Sequence, residues 1–169
     1  WADVGTVASY YDANIMLTQP RAPFRFYDSR HPIYTHPRFL PGSWVSDSSV
    51  RNVILAEGCS LDRAMVDDSI VGIRSHVQAG ATLRRSVLCG ADYYESDDEA
   101  PARGENPRLG IGRDVVLDRV IVDKNARIGD GARLVNEAGL QHADGEGYYI
   151  RDGIVIVPKD GIVKPGTTV

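Results

Sequence analysis

From the fifties onward the chain repeats itself every six residues, and this period limits its fold more than any other feature. Reading every sixth position gives Val53, Cys59, Met65, Val71, Val77, Leu83 and Cys89, all apolar. In a chain that is 43% hydrophobic, a seven-member column of this kind arises by chance in only about 0.3% of tries at a given phase. Small residues accompany it at Ser69, Ser75 and Ala81. The period returns as Val116, Val122, Ile128 and Leu134, with Ala126 and Ala132 in the small position. A third run holds Val157, Val163 and Val169, with Gly161 and Thr167. A helix needs spacings of three and four, and a half-buried strand alternates throughout. A hexad suits one short strand plus a corner, wound three to a coil. The fold expected is therefore all-β, a left-handed parallel β-helix, despite the usual right-handed rule for crossovers. Gly58, Gly80, Asn125, Gly129 and Gly131 suit corners that need positive φ.

Two stretches interrupt the period. Asp92–Arg108 is acidic and then rich in Pro, Gly and Asn, and 136–149 is mixed, with room for one helical turn. Both are expected to leave the coil as loops. Before the repeat, 6–17 reads TVASYYDANIML, a short helix capped by Thr6. A connector follows, with prolines at 20, 23, 32, 37 and 41, which block helix and interior strand and favour an extended path. The expected organisation is 1–18 as the end of an upstream domain, 19–43 as linker and 44–169 as β-helix. The chain starts at Trp1 rather than Met, and we expect a piece of a longer protein.

Charge and composition remove several functions. The 19 Lys and Arg against 23 Asp and Glu give a net charge of −4, unlike a protein that coats a nucleic-acid backbone. No apolar run is long enough to span a membrane, and no signal peptide is evident. Cys59 and Cys89 fall in the apolar column and read as small buried hydrophobes rather than a redox or zinc pair.

The motifs in order resemble those of the ADP-glucose pyrophosphorylase family, also called glucose-1-phosphate adenylyltransferase. They are WADVGT at 1–6 with the helix behind it, SRHPIYTHPRFLP at 29–41, SIVGIRS at 69–75, GADYYE at 90–95, VDKNARIG at 122–129 and the stretch 153–167. The resemblance covers the chain but only the C-terminal part of the enzyme. It implies an upstream nucleotidyltransferase domain in the same polypeptide that binds ATP and glucose 1-phosphate, and a homo-oligomer, tetrameric in the family. It also implies a cytoplasmic location, or a plastid one in a plant. Asp3 matches the family's second metal-binding aspartate, and in-line phosphoryl chemistry uses Mg²⁺ held by carboxylates. Lys124, Lys159 and Arg38 match positions that bind a phosphorylated-metabolite effector, with His36 where the family usually has Gln. Such cations suit phosphate through charge-assisted hydrogen bonds. This implies a regulatory and assembly domain, inactive without the catalytic part.

Other readings stand beside it. Lys124 and Lys159 also suit solvated corners of the coil. Arg127 and Arg133, six apart, would stack as a basic ladder on one face. His76 beside Val77 would be the base of a free-standing hexapeptide acyltransferase, and a non-catalytic oligomerisation module would use only the open coil edges. His31 and His36 lie in the proline connector, away from any coil that would build a metal site. Gly110-Ile-Gly112 lacks the third glycine of a dinucleotide loop, and Glu95–Glu99 reads as a solvated acidic run.

Overall fold

A computed structural model of the chain describes residues 3–24, 26–96, 98 and 106–169. One helix, α1 (Val7–Leu17), precedes the strands. The first coil is β1 (Trp44–Ser46), β2 (Ser49–Arg51) and β3 (Ile54–Leu55), and the second is β4 (Ser60–Asp62), β5 (Met65–Asp67) and β6 (Ile70–Val71). The third is β7 (His76–Val77), β8 (Thr82–Arg84) and β9 (Val87–Leu88), and the fourth is β10 (Gly110–Ile111), β11 (Val116–Asp118) and β12 (Val120–Val122). The fifth coil begins with β13 (Arg127–Ile128) and β14 (Arg133–Leu134). It is interrupted by a hairpin, β15 (His142–Gly145) and β16 (Tyr148–Arg151), before closing with β17 (Ile154–Val157) and passing into β18 (Ile162–Val163).

Each strand pairs in parallel with its counterpart one coil away, which builds three sheets, one per side of a prism. The hairpin alone is antiparallel, β15 to β16 and β16 to β17. A hairpin therefore stands where one helical turn was expected in 136–149, and its strands extend one of the three sheets. The three expected runs of hexads are thus consecutive coils of one structure.

The period itself needs correction. Inward residues of the prism, none more than 5% exposed, include Leu61, Val66, Val71, Val77 and Leu83, then Ile111, Leu117, Val122, Ile128 and Leu134. The steps between them are five residues at some corners and six at others. Trp44 consequently pairs with Ser60 and Ile111 with Ile128, sixteen and seventeen positions on rather than eighteen. Five-residue steps occur at corners where Arg63, Asp68, Arg85 and Arg119 adopt φ of 44° to 62°. The six-residue steps also turn at positive-φ residues, among them Arg74, Gly80, Asp114, Asn125 and Gly131, so a left-handed corner is common to both step lengths. With unequal steps, the unbroken column was partly out of register. Met65 is exposed, Cys59 is buried just ahead of β4, and Cys89 and Val116 sit beside the buried Leu88 and Leu117. The small residues hold their place, since Ser69, Ser75, Ala81, Ala126 and Ala132 are all buried. Among the glycines expected at corners, Gly58, Gly80 and Gly131 have positive φ, as does Asn125. Gly129 does not; a Cβ there would come within 2.4 Å of the Pro165 backbone nitrogen, so close approach explains that glycine.

Thr6 caps α1 in a reciprocal pair with Ser9. The helix lies on the outside of the sheet containing β9, β12 and β17, with Val7, Ala8, Tyr11 and Ile15 against Val87, Ile121 and Ile154. Tyr11 is 3% exposed and its hydroxyl donates to the Arg85 carbonyl at 2.6 Å. The connector carries no helix or strand from Pro32 to Ser43 and is mostly exposed there.

The corrected register sets a ranking of stabilities. Leu83→Ala should cost about 2–5 kcal/mol by opening a cavity in the prism, and Met65→Ala less than about 1 kcal/mol as a surface change. Urea unfolding of the two variants checks this, and equal losses would contradict the five-and-six step.

Candidate functional site

One corner of the prism gathers the site. Successive coils turn there at Gly90, Asn125 and Asp160, all with positive φ. The Asn125 N–H donates to the Gly90 carbonyl, and the Asp160 N–H donates to the Lys124 carbonyl at 2.9 Å. Lys124 and Lys159 each precede a stacked corner residue, so the parallel ladder puts their backbones side by side. Two ammonium groups so placed repel unless something lies between them.

Asp92 lies between them. Lys124 Nζ donates to Asp92 Oδ1 at 2.7 Å, and Lys159 Nζ pairs with Asp92 Oδ2 at 3.2 Å. Asn125 Nδ2 also donates to Asp92 Oδ2 at 3.2 Å and to Asp160 Oδ1 at 3.1 Å. Its own Oδ1 accepts the Asp92 N–H at 2.8 Å, so one buried asparagine holds both the backbone and the carboxylate of Asp92. Hydrogen bonds from Lys124, then from Lys159, hold the Asp92 carboxyl far below the usual carboxylate range, and the Lys159 ammonium is raised in return.

Three residues on, Glu95 makes a second junction with the prism. Arg127 Nη1 donates to Glu95 Oε1 at 2.5 Å and to the Pro107 carbonyl at 3.0 Å, and Arg108 pairs with the other carboxylate oxygen at 3.5 Å. The Glu95 side chain is only 6% exposed. Burial pushes its pKa up, but the Arg127 hydrogen bond and the Leu109 N–H outweigh that and leave it lowered. Glu95 is therefore a buried ion-pair partner, a correction to the solvated acidic run; residues 97 and 99 of that run lie outside the described residues. The expected ladder of Arg127 and Arg133 does not form. One hexad carries the chain to the next side of the prism, and Arg133 pairs instead with Glu137 at 2.8 Å.

A cleft of about 310 Å³ opens beside Glu95, lined in part by Ser60, Arg74, His76, Tyr93 and Tyr94. His76 and Ser60 occupy the same strand position one coil apart, and His76 Nδ1 hydrogen-bonds the Ser60 hydroxyl. Burial of the ring lowers the His76 pKa.

The remaining candidates lie apart. Arg38 and His36 are exposed in the connector, where Arg38 Nη1 donates to the His36 carbonyl at 3.4 Å. No hydrogen bond or ion pair joins them to Lys124 or Lys159. His31 pairs with Asp28 at 3.0 Å. Asp3 is exposed ahead of α1. Among the described residues no three His, Cys, Asp or Glu side chains gather to hold a metal ion. Cys59 and Cys89 are free thiols, both pushed up in pKa by burial. Sequence reasoning missed Asp92 and the side-chain role of Asn125, which it had placed only as a corner residue. The signal was the alignment of Gly90 with Lys124 and Lys159 just before one corner, which becomes visible only after the two insertions are set aside.

A family model described as the GLGC left-handed parallel beta-helix domain matches residues 38–168. The chain belongs to that family. The GLGC β-helix is the C-terminal domain of ADP-glucose pyrophosphorylase, a nucleotidyltransferase, and the match supplies the left hand of the coil. It sets aside the reading as a free-standing acyltransferase. It also includes Arg38, Asp92, Lys124 and Lys159, whereas Asp3 and His36 lie outside it. Among the described residues no helix is long and apolar enough to cross a membrane.

The geometry sets the acid behaviour of the GLGC corner. A depressed Asp92 pKa means that its pairing stabilises the fold fully above the unfolded-state value of about 3.9, and that this contribution disappears as pH falls through the lower folded value. Carboxyl-carbon NMR should find Asp92 still ionised at a pH where ordinary aspartates are half protonated. Lys124→Ala with Lys159→Ala should return it toward the ordinary value; an unchanged titration would contradict the pairing.

Proposed function

We propose that this domain regulates and helps to assemble a glucose-1-phosphate adenylyltransferase, which joins ATP and glucose 1-phosphate into ADP-glucose and pyrophosphate for glycogen or starch synthesis. The observation that carries this reading is the meeting of Lys124 and Lys159 at one corner, with their charges directed at a single oxyanion. Two ammonium donors on adjacent coils suit a phosphate group, which offers several acceptor oxygens. The effector would be a phosphorylated metabolite bound against an upstream catalytic domain of the same chain. Arg38, and His36 with it, would reach the same ligand from the connector.

The catalytic role stays with that upstream domain. Asp3 would give one carboxylate to a Mg²⁺ site whose other ligands come from there. Assembly into a homo-oligomer, a tetramer as in the family, would use surfaces of the coil beyond this corner. The described residues of this chain would then supply control rather than turnover, in the cytoplasm or in a plastid.

In the intact enzyme, Lys124→Ala and Lys159→Ala should each raise the effector concentration needed for half-maximal response by about tenfold, the scale of one lost charge-assisted hydrogen bond. The unstimulated rate should hardly change. Rate measurements across an effector series check this, and unaltered activation in both variants would remove the effector site from this corner.

A further inference from the structure

The corner that gathers Lys124 and Lys159 already holds an anion, and that anion is part of the chain. Both carboxylate oxygens of Asp92 are engaged, one by Lys124 and the other by Lys159 and Asn125. The three donors come from two successive coils and converge on a planar oxyanion, the arrangement that a phosphate oxygen edge would meet. Asp92 is not itself part of the prism ladder. It lies two residues beyond the Gly90 corner, outside every strand, and its side chain is 39% exposed. The groups that hold it are polar, so its side chain can leave without opening the apolar core.

We propose that Asp92 is an internal competitor that sets the affinity and charge selectivity of this corner for anions. This rests on the reading of Lys124 and Lys159 as the anion-binding pair. A ligand gains the two lysines only by displacing a carboxylate tethered to the same loop, whose local concentration is of the order of millimolar or higher. A monoanionic carboxylate offers the lysines nothing that Asp92 does not. A phosphate group carries about −1.5 to −2 charges at neutral pH and more acceptor oxygens, so it outcompetes the aspartate where acetate does not. Asp92 therefore raises the threshold for every anion and discriminates in favour of the dianion. Asn125 keeps the Asp92 backbone in place through its Oδ1, so the displaced carboxylate stays close and rebinds when the ligand leaves.

The test is calorimetric titration of inorganic phosphate, and separately of acetate, into the intact enzyme carrying this domain. Four forms are compared: unaltered, Asp92→Asn, Lys124→Ala/Lys159→Ala, and all three changes together. Asp92→Ser is included because it removes the carboxylate without leaving an amide, and melting temperatures confirm that each form is folded. Asp92→Asn and Asp92→Ser should tighten phosphate binding about tenfold, the scale on which two partly exposed ion pairs count, and acetate should become detectable. The triple variant should lose the whole gain.

Unchanged or weaker phosphate binding in both Asp92 variants would overturn the competitor role. If phosphate binding still fell on loss of the lysines, the effector reading would survive that result. A gain that persisted without the lysines would also overturn the competitor, because it would reflect net charge alone. Phosphate binding indifferent to both lysines would overturn the two readings together.

Discussion

Everything else in the molecule depends on coil-to-coil registry. Each inward side chain, from Leu61 through Val163, packs against neighbours contributed by the coils before and after it, and the parallel hydrogen bonds fix which residue lies above which. Because one side-chain stack and three ladders must agree, the number of residues per coil may change only at corners. Corners of both lengths turn at left-handed residues, and long excursions leave from corners as well. The same rule brings residues far apart in sequence into contact. Lys124 and Lys159 are neighbours because Asn125 and Asp160 are equivalent corners, with the β15–β16 hairpin contained in the interval.

Much of this was legible in the chain as written. The hexad announced the coil, the small residues beneath it were placed correctly, and Thr6 began the helix as its capping chemistry requires. The exact column was not legible. A periodic reading assumes equal steps, whereas the corners at Arg63 and Asp68 take one residue fewer and leave no strong mark in residue type. Arginine at positive φ is not a turn residue that propensity would nominate. The hairpin was missed for a related reason: Tyr148 to Arg151 alternates only briefly and derives its strand from pairing with β17. At the candidate site, the lysines stood out through family motifs, while Asp92 and Asn125 act only through a three-dimensional corner.

Electrostatics at this corner follow from the same geometry. Parallel stacking tends to place like residues above one another, so cationic corners accumulate repulsion that the prism cannot relieve by moving. The segment leaving Gly90 brings Asp92 to the lysines and Glu95 to Arg127 and Arg108. Thus the start of an apparently irregular loop is fastened to the β-helix by two carboxylates three residues apart. The exposed junction at Asp92 is exchangeable. The one at Glu95, buried and held by two arginines, is structural, since removing either partner would strand a charge.

The hairpin gives the molecule a direction. A parallel stack can in principle grow indefinitely, because its last coil offers the same unpaired backbone as any other. On the side that contains β17, two antiparallel pairings make β15 the outermost strand; it runs in the same sense as β17 and carries Asp144 along its edge. A further coil would find its three sides at different heights, because this sheet extends two strands past β17 while the other two end at β14 and β18. Arg151 ties the fold-back down through the Ala143 carbonyl and Asp144. That side of the prism therefore ends in a built-in stop against fibre-like propagation.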